Sequence, residues 1–291
     1  MLKKTFAALL LAACSAAWSE PSLRSAHVLV LDESTGEVLL EKDAGTPAPI
    51  ASMTKLMTAM VVLDARLPYE QKIRIDRADL DTLKHTQSGV PVGSVITRED
   101  LITLALISSD NRAAAALART YPGGRPAFQA AVNRKIRALE LEDTVLVEPT
   151  GLSPRNRASA RDMAKILQAA AAYPEIAVAT SQRRDRVVVN GRTRVARNTN
   201  GLVGAPGWSV LASKTGFTRE AGRCVSMRLE AAGRKVLVVL MGAVDSSKRT
   251  LDAINIHRWL GSEPAQRVAS DASDQQPRAA RKVSASRPSA G

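Results

Sequence analysis

Ser52 and Lys55 stand three residues apart in PIASMTKLMTAMVVLDA, residues 49–65, the most apolar long stretch beyond the first twenty residues. Residues at this spacing share one face of a helix, so a hydroxyl and the stretch's only cation meet there. A serine hydroxyl is a weak nucleophile until a neighbouring base takes its proton. Lysine becomes that base only when its pKa falls, and burial against Leu56, Met57, Met60 and Val61 lowers it. A serine opening a helix also lies beside backbone N–H groups without intrahelical partners, so its own N–H can hold a developing oxyanion. The pattern predicts acyl transfer through a serine ester. Alone, it equally describes a helix-capping serine with a snorkelling lysine.

Two further motifs, each with a bland reading of its own as a loop or turn, join the first in chain order. Ser109-Asp110-Asn111 closes the apolar run LITLALIS, and Lys214-Thr215-Gly216 follows a strand pattern. The ordered set Ser-x-x-Lys, Ser-Asp-Asn and Lys-Thr-Gly occurs in penicillin-binding proteins and class A β-lactamases. Phe217, just after Gly216, would place a second oxyanion N–H on the strand edge. Glycine at 216 lets a substrate backbone approach closely.

The elements that must position these motifs are legible from periodicity. Residues 27–44, HVLVLDESTGEVLLEKDA, read as a hairpin turning at Ser34-Thr35-Gly36. The Ser52 helix follows, and residues 66–190 read as mostly helical with long loops. Thr97-Arg98-Glu99-Asp100 is a capping signal before LITLALI; residues 111–120 and RDMAKILQAAAA continue as helices. Past residue 205 the period changes, and WSVLASK, RCVSMRLEA and KVLVVLMGA read as three strands. A last helix runs from Ser246 to Leu260, with Ile254, Ile256 and Trp259 as packing positions. The order predicts an α+β fold: an antiparallel sheet from both chain ends, flanked by helices, with a mostly helical middle. Aromatic residues make up 3% of the chain, so its core must be aliphatic.

Residues 1–20, MLKKTFAALLLAACSAAWSE, have the basic head, short apolar run and small residues of an export signal peptide. Cleavage before Glu20 is one reading; Leu11-Ala12-Ala13-Cys14 resembles a lipoprotein box and is the other. Residues 21–261 form the expected catalytic domain. Residues 262–291 are almost free of large apolar side chains and are expected to be a disordered basic tail. No later segment is apolar enough to anchor in a membrane. Cys14 and Cys224 are the only cysteines, so no internal disulfide is expected in an exported chain. The net charge of +13 suggests an acidic partner such as a wall polymer or anionic membrane surface. No nucleic-acid-binding signature is present. His27, His85 and His257 are scattered, so neither a metal nor a cofactor is expected.

From about Ala26 to Leu260 the chain resembles the low-molecular-mass penicillin-binding proteins, the serine D-alanyl-D-alanine carboxypeptidase and endopeptidase family. RNTNGLVG and SKTGFTREAGRCVSMRLEAAGRKVLVVLMGA are most similar to its DD-endopeptidase branch. The resemblance implies a β-lactamase/transpeptidase-like fold and peptidoglycan peptides as substrate, with β-lactams as covalent inhibitors. It implies Ser52 as nucleophile, Lys55 as base and Ser109 as proton relay to the leaving amine. Asn111 would hold the acyl side, Lys214, Thr215 and Gly216 the leaving side, and the Ser52 and Phe217 N–H groups the oxyanion. Carboxypeptidases of this family carry an arginine where this chain has Thr199, which favours cutting within a cross-link over removal of a terminal D-Ala. A D-alanyl-D-alanine carboxypeptidase is the alternative.

Three other readings fare worse. A class A β-lactamase needs an asparagine four residues after its glutamate, and Glu148 is followed at that spacing by Leu152. A non-catalytic wall-binding protein has no reason to keep all three motifs. Gly207-Trp208-Ser209-Val210-Leu211 lacks the second glycine of a nucleophile elbow.

Overall fold

The computed structural model describes residues 20–262; the expected leader, including Cys14, and the tail beyond Ser262 lie outside the described residues, apart from Glu20. The chain opens with β1 (His27–Asp32) and β2 (Val38–Lys42), paired antiparallel as the hairpin pattern predicts. A short strand β3 (Ala48–Pro49) leads into a 3-10 turn at Ala51–Met53 and then α1 (Thr54–Asp64). Ser52 therefore sits in the 3-10 turn rather than in the α-helix proper. Residues Thr54 to Leu63 are all buried, which makes α1 the central helix of the molecule.

The middle region is helical, with additions. β4 (Lys72–Arg74) pairs with β5 (Val95–Thr97), and α2 (Arg98–Ile107), α3 (Asn111–Arg119) and α4 (Gly124–Ala138) follow. Thr97 caps α2 as its pattern predicts, its hydroxyl accepting from the Asp100 N–H at 3.1 Å. β6 (Arg157–Ala158) pairs with β3; α5 (Ala160–Ala171) and α6 (Pro174–Ser181) come next. A hairpin of β7 (Arg184–Val189) and β8 (Arg192–Arg197) corrects the expectation of helix and loop up to residue 190. Its signal was present: Asn190-Gly191 between two valine-containing runs, with φ of +53° and +73°, suits a tight two-residue turn.

The chain ends with β9 (Ser209–Thr218), β10 (Gly222–Ala231), β11 (Arg234–Ala243) and α7 (Ser246–Ser262). The five-stranded sheet has the order β2-β1-β11-β10-β9 and is antiparallel throughout, with His27 opposite Met241 and Asp32 opposite Val236. Both faces are covered. Leu29, Leu237, Val239 and Met241 join the main core around α1 and α5, whereas Val28, Val30, Val238 and Leu240 pack with Ala253, Ile256 and Leu260 of α7. Burial on both faces explains why β11 reads as one continuous apolar run. Of the packing positions expected on α7, Ile256 is buried, Trp259 is partly buried and Ile254 is half-exposed, with Leu260 taking the inward place. β9 is an edge strand, and its free edge meets the 3-10 turn that carries Ser52.

Candidate active site

The turn that carries Ser52 is held from behind by the segment Glu148–Asn156. Gly151 has φ +85°, and a Cβ on it would lie 1.9 Å from the Ala51 carbonyl oxygen. Ala51 itself is held at φ +47°, a conformation an L-residue rarely adopts. The Ile50 N–H donates to the Asn156 carbonyl at 3.0 Å, and the Thr58 hydroxyl donates to the Pro149 carbonyl at 2.7 Å. Gly151→Ala combines a disfavoured backbone with direct overlap. It should cost about 3 kcal/mol, lowering the melting temperature by roughly 6–12 °C for a domain of this size, measurable by circular dichroism; an unchanged melting temperature would contradict the close approach.

Lys55 is fully buried one turn beyond Ser52. Its Nζ lies 2.9 Å from Ser52 Oγ, 2.7 Å from Asn111 Oδ1 and 2.7 Å from the Thr150 carbonyl oxygen. Burial lowers its pKa to about 8, partly offset by the negative charges of Glu148, Asp110 and Asp81. A neutral amine has two hydrogens and one lone pair. Asn111 Oδ1 and the Thr150 carbonyl can only accept, so they take the two hydrogens and the lone pair falls on the serine hydroxyl. Asn111 is oriented by its own amide, which donates to Thr86 Oγ1 at 2.9 Å. Thr86 in turn donates through both N–H and hydroxyl to Asp81, at 2.8 Å each.

The second motif lies at the junction of α2 and α3. Ser109 has φ +58°, and Asp110 caps α3 through the Ala113 N–H at 2.9 Å. The Ser109 hydroxyl accepts from Lys214 Nζ at 2.8 Å, and Lys214 also donates to the Thr215 carbonyl at 3.2 Å. Burial, helped by the charge of Lys55, pushes the Lys214 pKa well below the usual lysine value. A like charge on Lys55 thus favours the neutral form of Lys214.

The third motif closes the site along β9. The hydroxyls of Thr215 and Thr199 share a hydrogen bond of 2.6 Å. A Cβ on Gly216 would meet the Ile50 carbonyl oxygen at 2.7 Å and the Ser52 nitrogen at 3.3 Å. This glycine therefore has a reason that the sequence reading did not give: it admits the chain's own turn. Ser52, Ser109, Thr199, Thr215, Gly216 and Phe217 all line one cleft of about 240 Å³. The structure thus brings together every residue that the three motifs single out. None of the three histidines lines the cleft.

Sequence reasoning missed four contributors. The Thr150 carbonyl and Gly151 act through main chain, which has no side-chain signature. Arg223, from β10, and Arg249, from α7, line the same cleft. The Arg223 guanidinium lies over the Phe217 ring at 3.5 Å. Burial, then the charge of Arg223, lowers the Arg249 pKa. Threonine at 199 therefore does not leave the cleft without positive charge. Glu148, the residue a β-lactamase reading would use, has its carboxylate taken up by its own loop. It accepts from the N–H groups of Thr150, Gly151 and Ser153, the Thr150 hydroxyl and the Asn156 amide.

Comparison with known proteins gives the family. A family model described as D-alanyl-D-alanine carboxypeptidase matches residues 15–245. The chain belongs to that family. Among similar relatives, the D-alanyl-D-alanine endopeptidase of Escherichia coli (strain K12) is 41% identical over 244 residues, covering 83% of this chain and 79% of that protein. The D-alanyl-D-alanine endopeptidase of Pseudomonas aeruginosa is 42% identical, covering 83% of this chain and 78% of the relative. The crystal structure of the Streptomyces K15 DD-transpeptidase superposes with a TM-score of 0.76 at 25% identity, over 83% of this chain and 98% of that one. Membership in the family, the α+β fold and the three-motif cleft are thus mutually consistent.

Proposed function

We propose that this chain is a penicillin-sensitive serine DD-peptidase that hydrolyses D-alanyl peptide bonds of peptidoglycan, chiefly within cross-links. The observation that carries this reading is the Lys55 amine, held by Asn111 and Thr150 with Ser52 Oγ as its third neighbour at 2.9 Å. Neutral Lys55 takes the Ser52 proton as Oγ attacks the D-alanyl carbonyl. The oxyanion is held by the N–H groups of Ser52 and Phe217. Collapse of the tetrahedral intermediate breaks the C–N bond, and the leaving amine takes, through Ser109, which Lys214 holds in place, the proton that Lys55 removed, which leaves Lys55 neutral again. Asn111 supports the acyl side, and Lys214, Thr215 and Gly216 line the leaving side. Water then attacks the ester, its proton passing to neutral Lys55, which hands it to Ser52 Oγ as the acyl C–O bond breaks. A β-lactam amide enters the same path and leaves a serine-bound adduct.

The cross-link preference draws on Thr199, whose hydroxyl is tied to Thr215, and on the relatives named as endopeptidases. Incubation with cross-linked muropeptide dimers and with pentapeptide monomers, followed by mass spectrometry, separates the two activities. Dimers are expected to disappear faster; preferential loss of terminal D-Ala from monomers would assign a carboxypeptidase instead. We also place residues 1–20 as an export leader, 21–261 as the catalytic domain and the remainder as a basic tail, with the enzyme acting in the periplasm. No described helix is long and apolar enough to cross a membrane.

A further inference from the structure

The cleft has an unbalanced charge. Arg223 and Arg249 both line it, and among the described residues no carboxylate does. Neither guanidinium makes an ion pair with a described side chain of the protein. The way Arg223 is held matters. Its guanidinium carbon lies 3.5 Å from the Phe217 ring centroid, a distance that leaves room for the guanidinium nitrogens only in a near-parallel stack, which occupies one face and sets the plane. The N–H donors of a guanidinium radiate in that plane, in the fork that matches a carboxylate. Phe217 is about half exposed, so the stack faces the open side of the cleft, on the same strand as Thr215 and Gly216. Two cations lining one cleft ask for more negative charge than one carboxylate supplies.

The candidate leaving groups differ in just this respect. A carboxypeptidase expels D-alanine, an amine with a single carboxylate. A cross-link endopeptidase expels the amine of a second stem peptide, which carries further carboxylates. We propose that Arg223 binds a second carboxylate on the leaving side of the substrate, so that the Arg223–Phe217 stack favours cross-links over terminal D-alanine. The proposal rests on the DD-peptidase reading above and names the group that gives that reading its substrate preference.

Two synthetic peptides with one acyl part, ending in D-Ala-D-Ala and in D-Ala-D-Glu, isolate the second carboxylate. Wild type is expected to favour the D-Glu peptide in kcat/KM. In Arg223→Gln the D-Glu to D-Ala ratio should fall about tenfold, as loss of a charge-assisted bidentate pair implies, mainly through KM, with Arg223→Lys retaining part of the preference. The dimer to pentapeptide ratio should fall in the same direction, and added salt should reduce the wild-type preference more than that of Arg223→Gln. An unchanged ratio would overturn the proposal: with both rates lowered in equal proportion Arg223 is a support for Phe217, and with neither rate lowered it has no part in the reaction. If wild type cleaves neither peptide, the DD-peptidase reading fails separately. Calorimetric titration of wild type and Arg223→Gln with the two peptides then decides the proposal by the same ratio of affinities.

Discussion

Ser52→Ala is expected to take up no covalent penicillin and to cleave no cross-linked muropeptide. Removal of an activated nucleophile costs on the order of 10⁴-fold or more in turnover, and an adduct through Oγ has no atom on which to form. The fold should be untouched. Ser52 is only half-buried, and its hydroxyl has Lys55 as its hydrogen-bond partner. The Asn111 and Thr150 oxygens still hold Lys55 in the variant. Intact-protein mass spectrometry after penicillin treatment reads the result directly. An adduct on Ser52→Ala would overturn the nucleophile assignment, and the turn at Ala51–Met53 would then need another purpose.

The second large effect is a dependence on pH. With Lys55 at about 8, the acylation rate should rise about tenfold per pH unit below that value and level off above it. Lys55→Arg keeps the charge and much of the length but cannot give up its proton, so acylation should fall by roughly 10²–10⁴-fold. Stopped-flow acylation between pH 6 and 10 checks both. A flat wild-type profile would remove Lys55 as the base. Stability carries the same signature with a defined sign. The unfolded chain binds the Lys55 proton more tightly than the folded one, the ordinary value of 10.5 having dropped to about 8. Between those two values the unfolded state holds more protons, so this group's contribution makes the protein more stable as pH rises through that window.

Much of the site was legible in the sequence because its chemistry needs particular side chains. Two serine hydroxyls, two amines and an amide cannot be substituted without changing the reaction, and the three short motifs hold them. The sheet was legible for a related reason: alternation in residues 27–44 and a doubly buried run in 235–243 suit strands and little else. The rest was hidden for identifiable causes. The Thr150 carbonyl is main chain and could have been any residue's. Gly151 appears in the sequence as an ordinary loop glycine, and only the 1.9 Å approach to Ala51 shows why it must be one. Arg223 and Arg249 come from separate elements among 41 lysines and arginines, so nothing local marks them. The β7–β8 hairpin was marked, by Asn190-Gly191, but the helical signals before it outweighed a two-residue cue.

The sheet order has a consequence for when this enzyme can exist. β1 has its partner on β11, more than two hundred residues away, and β9, which closes the catalytic cleft, reaches β1 only through β10 and β11. Long-range pairing must meet the loss of chain entropy before its contacts repay it, so such sheets form late. A chain halted before Arg234 pairs β1 with β2 alone and lacks the strand that joins that hairpin to β10 and β9. With this topology the five-stranded sheet, and the cleft that β9 closes, is expected to assemble only once β11 is available, however much of the chain has already been made.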